Sequence, residues 1–195
     1  MSSDDRSGRE GTSGEFQFGS SGAHVVEFHL GTERCAIDTT AVDGIVEMKQ
    51  ITRVPRAPDA VDGVMDLRGE TTAVVNPKSF LSVGERTAEQ NVLVLDREED
   101  KQKIGIRVDG VCEVTSYSES RLDPSAQLGE LDSRAVEDDL VKGIIRKPVG
   151  DVDDDDTPDE VTLVLWLSIE RLVSRIAGST EAKAGDRRVG SDIQS

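Results

Sequence analysis

Histidine and cysteine are scarce in this chain, and the scarcity removes most metal and nucleophile chemistry. His24 and His29 are the only histidines. Five residues apart on a strand they face opposite sides and cannot grip one ion together, so each reads as a partly exposed structural residue. Cys35 and Cys112 lie far apart without CxxC spacing and read as buried free thiols. The sequence has no G-x-S-x-G elbow, no phosphate-cradling G-x-x-x-x-G-K-[ST] loop and no Gly-rich turn leading into a helix as a dinucleotide site needs. Aromatics make up 3%, so the core has to be built from Val, Leu, Ile and Ala. No apolar run approaches the 18 residues that would suggest a membrane span. The first residues, MSSDDRSGREGTSGE, carry no secretory signal, and the expected location is the cytoplasm. Basic residues are too few and too scattered to form a stripe for phosphates, which argues against nucleic acid as a partner.

Acid is what the chain has in excess. Asp and Glu outnumber Lys and Arg 39 to 23, for a formal net charge of -16. Lysine is sparse even among the bases, 7 against 16 arginines. In molar salt the Debye length falls to about 3 Å, so like charges stop repelling; in dilute buffer they work against the compact state. The balance points to a salty cytoplasm, the alternative being an ordinary acidic protein. The densest run, PVGDVDDDDTPDE at 148–160, has carboxylates at the first three calcium-loop spacings, Asp151, Asp153 and Asp155. The sixth position is Asp156 rather than glycine and the twelfth is Thr162 rather than glutamate, so the run reads as a solvated loop. Asp138 and Asp139 likewise read as surface charge. No metal and no cofactor is implied, and by elimination the residues favour binding over catalysis.

The chain length of 195 residues suits one domain or two small subdomains. Residues 1–22 and 178–195 are nearly free of apolar side chains and read as disordered arms. Between them, 23–177 alternates short strands with turns: 24–30, 33–38, 41–48, 64–67, 71–76, 91–96, 103–108, 111–117, 140–147 and 161–167. Pro55 and Pro58 make the stretch before Val64 a shaped loop, and 118–139 reads as a polar loop. SIERLVSRI places Ile169, Leu172, Val173 and Ile176 on one helical stripe, with Ser168 as its cap. No long internal repeat stands out. Many short strands and one helix point to small β-barrels.

Six landmarks, in order, resemble the CheW family of chemotaxis adaptors over roughly Val25 to Ile176. FHLGTERCAIDTTAVDGI resembles its opening hairpin and "V-x-E-I" element. ITRVPRAPDAVDGVMDLRG resembles "I-T-x-V-P-x-A-P-x-x-I-x-G-V-x-N-L-R-G", the most specific stretch. TTAVVNPKSFL, GIRVDGVCEV, LVKGIIR and LVLWLSIERLV resemble the later elements. Four departures stand out. Asp66 replaces the asparagine before Leu-Arg-Gly, the "V-V-D-L-R" end is Val74-Val75-Asn76-Pro77-Lys78, the acid of "V-x-E-I" falls on Gly44, and the loop at 148–160 is longer and more acidic. The resemblance implies an all-β fold of two SH3-like, five-stranded β-barrel subdomains with a short C-terminal helix and no active site. It implies a scaffold that couples chemoreceptor cytoplasmic tips to the regulatory domain of the histidine kinase CheA, next to the membrane but not inserted in it. One subdomain would pair with the kinase and the groove between subdomains would take the receptor's helical hairpin. A diverged adaptor for another signalling complex, or an enzyme with an unrecognised site, are the other readings.

Residue by residue, the resemblance implies the following binding set. Arg68 faces the receptor groove, next to Asp66, with Leu67 turned into the core and Gly69 in the turn; the alternative is a structural arginine bridging Asp66 or Glu70. Gly63 permits close backbone approach. Val42 lies on the receptor side, while Ile45 and Val64 pack in the core. Asp109 and Gly110 form a turn in the second subdomain, for contact or for structure.

Overall fold

The computed structural model describes residues 22–79, 81–85, 90–98, 102–124, 138–150 and 160–176. The expected arms lie outside this set apart from Gly22, as do Asp151, Asp153 and Asp155. Among these residues eleven strands are formed: β1 (Ala23–Leu30), β2 (Glu33–Asp38), β3 (Val42–Glu47), β4 (Val61–Leu67), β5 (Glu70–Val75), β6 (Asn91–Leu95), β7 (Lys103–Val108), β8 (Val111–Tyr117), β9 (Leu122–Asp123), β10 (Val141–Pro148) and β11 (Val161–Leu167). Helix α1 covers 169–176. The Ser168 hydroxyl accepts the Arg171 N–H at 3.4 Å, the cap expected of it.

The chain begins one sheet, builds the second complete from β3 to β7, then returns to finish the first. The orders are β8-β1-β2-β11-β10-β9 and β3-β6-β7-β5-β4. Two pairings are parallel, β2 with β11 and β5 with β7. The first sheet is five full strands plus the two-residue β9, which lies in the stretch read from sequence as loop.

Both sheets roll up. In the first, β10 stands four places from β8, about 19 Å away in a flat sheet at ~4.8 Å per strand. Lys147 on β10 nevertheless bonds Glu113 on β8, which only a curled sheet allows. In the second, Val46 on one edge strand and Met65 on the other share one apolar cluster with Val74 and Val92. Strand alternation then sorts side chains into three layers. Val25, Ala36, Ile145, Val164 and Trp166 fill the first barrel. Val26, Phe28, Leu30, Ile37 from that sheet and Val75, Leu93, Leu95, Ile106 from the other form a shared core, closed by Leu172 and Ile176 of α1. Each such fully buried side chain contributes about 1.5–3 kcal/mol.

Polar side chains pin the barrels together. Asp109, buried, accepts the Gly31 N–H at 2.6 Å and Lys78 Nζ at 2.7 Å, tying the β7–β8 turn to the β1–β2 turn and to the segment after β5. Inside the first barrel Glu27 is 0% exposed. Its carboxylate takes Arg34 Nε at 2.8 Å, Lys147 Nζ at 3.2 Å and the Tyr117 hydroxyl. Burial, then this bond to the carboxylate, push the Tyr117 phenol well above its ordinary range.

Two expectations need correction. Cys35 is buried, and burial pushes its thiol upward, but Cys112 is exposed. It sits on an edge strand at the register shift between β1 and β8, which takes it off the core face. Ile45, expected in the core, is 40% exposed. Asp43 and Glu47 sit two residues before and after it, and the strand period of two puts all three on the solvent face.

Candidate interaction site

The β4–β5 hairpin ends on the pair Leu67–Glu70, leaving Arg68-Gly69 as a two-residue turn. Their φ values are 55° and 87°. Two positive φ values define the primed turn whose twist suits a hairpin. Glycine adopts this freely; for arginine the left-handed region costs about 1–2 kcal/mol. Asp66 secures the turn by accepting the Gly69 N–H at 3.1 Å. Leu67, on the same parity as Met65, packs against the second barrel's inner cluster. Arg68 is thereby held outward and exposed. It makes no ion pair among the described residues: Asp66 is engaged by the turn backbone instead.

Arg68 stands at the edge of a cleft of about 210 Å³ in the mouth of the second barrel. Val46, Leu67, Thr72 and Val94 form its less exposed lining. Arg68 and Lys103 oppose Asp43 and Glu70 around it, with Lys103 Nζ 3.9 Å from Asp43. Gly44 and Ile45 complete the β3 wall. The cleft can take an apolar side chain flanked by polar groups of either sign.

The other residues singled out from sequence are placed elsewhere. Val42 packs against the shared core and does not line the cleft. Gly63 is buried at a β4 bulge, where an added Cβ would overlap the Thr52 carbonyl oxygen, so it does permit the close approach expected of it. Val64 is half-buried. Asp109 is taken up by Lys78 and Gly31, and the Gly110 carbonyl accepts the His29 N–H at 2.9 Å. Of the six, only Arg68 lines the cleft, with Asp66 holding its turn; Asp109 and Gly110 share the β7–β8 turn instead.

A second depression, about 340 Å³, lies between the sheets and α1, with Ala41, Leu95, Ile169 and Val173 beside Asp38, Asp96, Arg97 and Glu170. Arg68 does not reach it, because every wall of the Arg68 cleft belongs to one sheet. The Glu170 carboxyl is held below the usual carboxylate range by its backbone N–H, then by the Ser168 hydroxyl. Lys142 bridges the same region, 2.7 Å from Asp38 and 4.0 Å above the Trp166 ring. Among the described residues no three His, Cys, Asp or Glu are grouped to hold a metal. Nor, among the described residues, is any helix long and apolar enough to cross a membrane.

Sequence reasoning missed Lys103, Asp43 and the exposure of Ile45. The signal for the last two was present in the charges at 43 and 47; nothing local marks Lys103, which arrives through the parallel β5–β7 pairing.

Two rolled sheets around one shared core, with a charged-rimmed cleft at one barrel mouth, define a two-barrel β module. Residues 24–177 match the family model described as CheW-like domain, and the chain belongs to that family. The chemotaxis protein CheW of Thermotoga maritima is 23% identical over 152 residues, 78% of this chain and 88% of that one. That of Klebsiella aerogenes is 28% identical over 106 residues, 54% of this chain and 64% of its own length. The crystal structure of scaffolding protein TtCheW from Thermoanaerobacter tengcongensis has the same fold, with a TM-score of 0.59 at 22% identity, covering 81% of this chain and 91% of that one. The family consists of non-catalytic scaffolds, and these similarities support a chemotaxis adaptor.

Proposed function

We propose that this chain couples chemoreceptor cytoplasmic tips to the regulatory domain of CheA, in the cytoplasm beside membrane receptor arrays, without catalysis of its own. The observation that carries the reading is Arg68. It occupies a left-handed backbone position that favours glycine or asparagine, it is exposed, and it forms no ion pair among the described residues. A strained, unpaired arginine at the lip of an apolar-lined cleft is poorly explained by stability and well explained by contact with a partner. Asp66 acts one step back, fixing the turn that aims it. The cleft, rather than the depression beside α1, is the receptor contact, with a receptor carboxylate meeting Arg68. Gly63, Val42, Asp109 and Gly110 support the barrels that present these contacts. The acidic surface fits a salt-rich cytoplasm. Reconstitution of the purified chain with a kinase regulatory domain and a receptor tip in molar KCl tests the reading; an intact chain that joins neither partner overturns it.

A further inference from the structure

Three strands in this chain begin with the same three-residue device. Val42-Asp43-Gly44 opens β3, Val61-Asp62-Gly63 opens β4 and Val141-Lys142-Gly143 opens β10. Each carries a register shift between its valine and its glycine: Val42 pairs Leu95 while Gly44 pairs Val94, Val61 pairs Val75 while Gly63 pairs Val74, and Val141 pairs Leu167 while Gly143 pairs Trp166. The middle residue is the extra one of a β-bulge.

At two of the three, a short extended segment covers the strand just after the bulge. Thr52 forms an antiparallel bridge with Val64, the residue after Gly63, through N–H···O bonds of 2.8 and 2.9 Å. Its carbonyl oxygen lies over Gly63, where a Cβ would overlap it. Asp123 of β9 pairs Ile144, the residue after Gly143, and its carbonyl oxygen would lie 2.8 Å from a Cβ on Gly143. In both segments the residue before the bridging one is apolar and packs into the barrel: Ile51 in the second, Leu122 in the first. Each glycine is thus accounted for by a backbone that lies against it.

The third has no such cover. β3 is an edge strand, and no described residue bonds Ile45 from its outer side. A Cβ on Gly44 would meet nothing within 4 Å, and its φ is outside the left-handed region. Neither space nor backbone conformation calls for glycine, which weakens a strand by about 0.5–1 kcal/mol relative to alanine. Beside it lies the cleft lined by Val46, Leu67 and Val94, in the position that Ile51 and Leu122 fill in the other two cases. The register equivalence turns the Ile45 N–H and C=O outward, as it does those of Val64.

We propose that the outer edge of β3 at Gly44–Ile45 is a docking site for an extended segment of a partner protein. The segment adds as an antiparallel strand, its carbonyl over Gly44, bridging Ile45 through two backbone hydrogen bonds. The residue before the bridging one is apolar and enters the cleft. This is strand addition at a sheet edge, and it selects an apolar-then-polar dipeptide in extended conformation, as Ile51-Thr52 and Leu122-Asp123 do within this chain. The segment would fill the cleft assigned above to the receptor contact, so the two occupants exclude each other there, while binding of the segment itself needs neither receptor nor kinase.

The test uses the full-length, 15N-labelled chain in molar KCl, where charge attraction is screened. The probe is an end-blocked peptide copying residues 49–54, KQITRV; the control carries Ser in place of its Ile. In the free chain the Ile45 amide should exchange with solvent far faster than those of Val64 and Ile144. Saturating probe should slow the Ile45 amide at least tenfold and shift Gly44, Ile45, Val46 and Val94, while the control does neither. Gly44→Val should weaken the probe at least tenfold with the melting temperature unchanged or raised. The proposal is overturned if the Ile45 amide is already as protected as that of Val64, since this chain's own residues then cover the edge. Absence of probe binding up to millimolar concentration, or unchanged binding by Gly44→Val, overturns it as well.

Discussion

Replacing Glu27 by Gln should be among the most damaging single-atom changes in the chain. The carboxylate is 0% exposed and holds Arg34 at 2.8 Å, Lys147 at 3.2 Å and the Tyr117 hydroxyl. Gln fits the space and can keep one acceptor, but it leaves two half-buried cations facing a neutral group. Breaking a buried ion pair from one side costs about 3–5 kcal/mol. Glu113 also contacts both cations and offsets part of the loss, so about 2–4 kcal/mol is expected. At ~2–4 °C per kcal/mol for a domain of this size, the melting temperature should drop by about 4–16 °C. Glu113→Gln is the control: that side chain is 44% exposed, and exposed pairs contribute about 0–1 kcal/mol. The assay is thermal unfolding followed by circular dichroism at two salt concentrations. Molar salt should shrink the Glu113 effect and leave most of the Glu27 effect, because buried pairs are poorly screened. Equal, small losses for the two variants would refute the claim that a buried charge cluster closes the first barrel.

Tyr117, the only tyrosine, gives a clean alkaline readout. Its folded pKa is raised, so its contribution to stability is full below the ordinary value of about 10 and is lost as pH rises beyond it; tyrosinate absorbance should therefore appear together with unfolding, and a reversible titration near pH 10 in the folded chain would contradict this. The net charge of -16 predicts a melting temperature that climbs from 0.01 M to molar KCl as the Debye length shortens from about 30 to 3 Å; a flat curve would show that self-repulsion is not limiting.

Local signals carried far in this chain. Strands 33–38, 103–108, 111–117 and 161–167 have the bounds their sequence suggests, and the 3.6-residue stripe of 169–176 forms the helix that closes the shared core. Loss of legibility begins where partners are distant. Leu122–Asp123 is a strand only because β10 lies beside it, and two residues show no period. Nothing local marks Glu27 as buried; Arg34, Lys147 and Tyr117 converge on it from three other strands. The turn residues Asp66, Arg68 and Gly69 were legible because a hairpin is local, but Lys103 on the opposite side of the cleft was not. The bulge device was legible in principle as V-x-G, which recurs at 42, 61, 108 and 141, although the copy at 108 ends β7 and opens no strand. A three-residue repeat without a fixed period is invisible until registers show what it does.

The most direct test of the functional account is Arg68→Ala. An exposed turn side chain contributes little packing, and alanine keeps the same left-handed backbone, so stability should change by no more than about 1 kcal/mol. Loss of a desolvated, hydrogen-bonded interfacial charge contact costs about 2–5 kcal/mol, a factor of roughly 30 or more in affinity. In a pull-down in molar KCl the variant should fail to join receptor tips, keep its contact with the kinase regulatory domain and melt near wild type. Intact receptor binding together with a melting point several degrees lower would make Arg68 a structural residue and contradict the assignment of its cleft as the receptor contact.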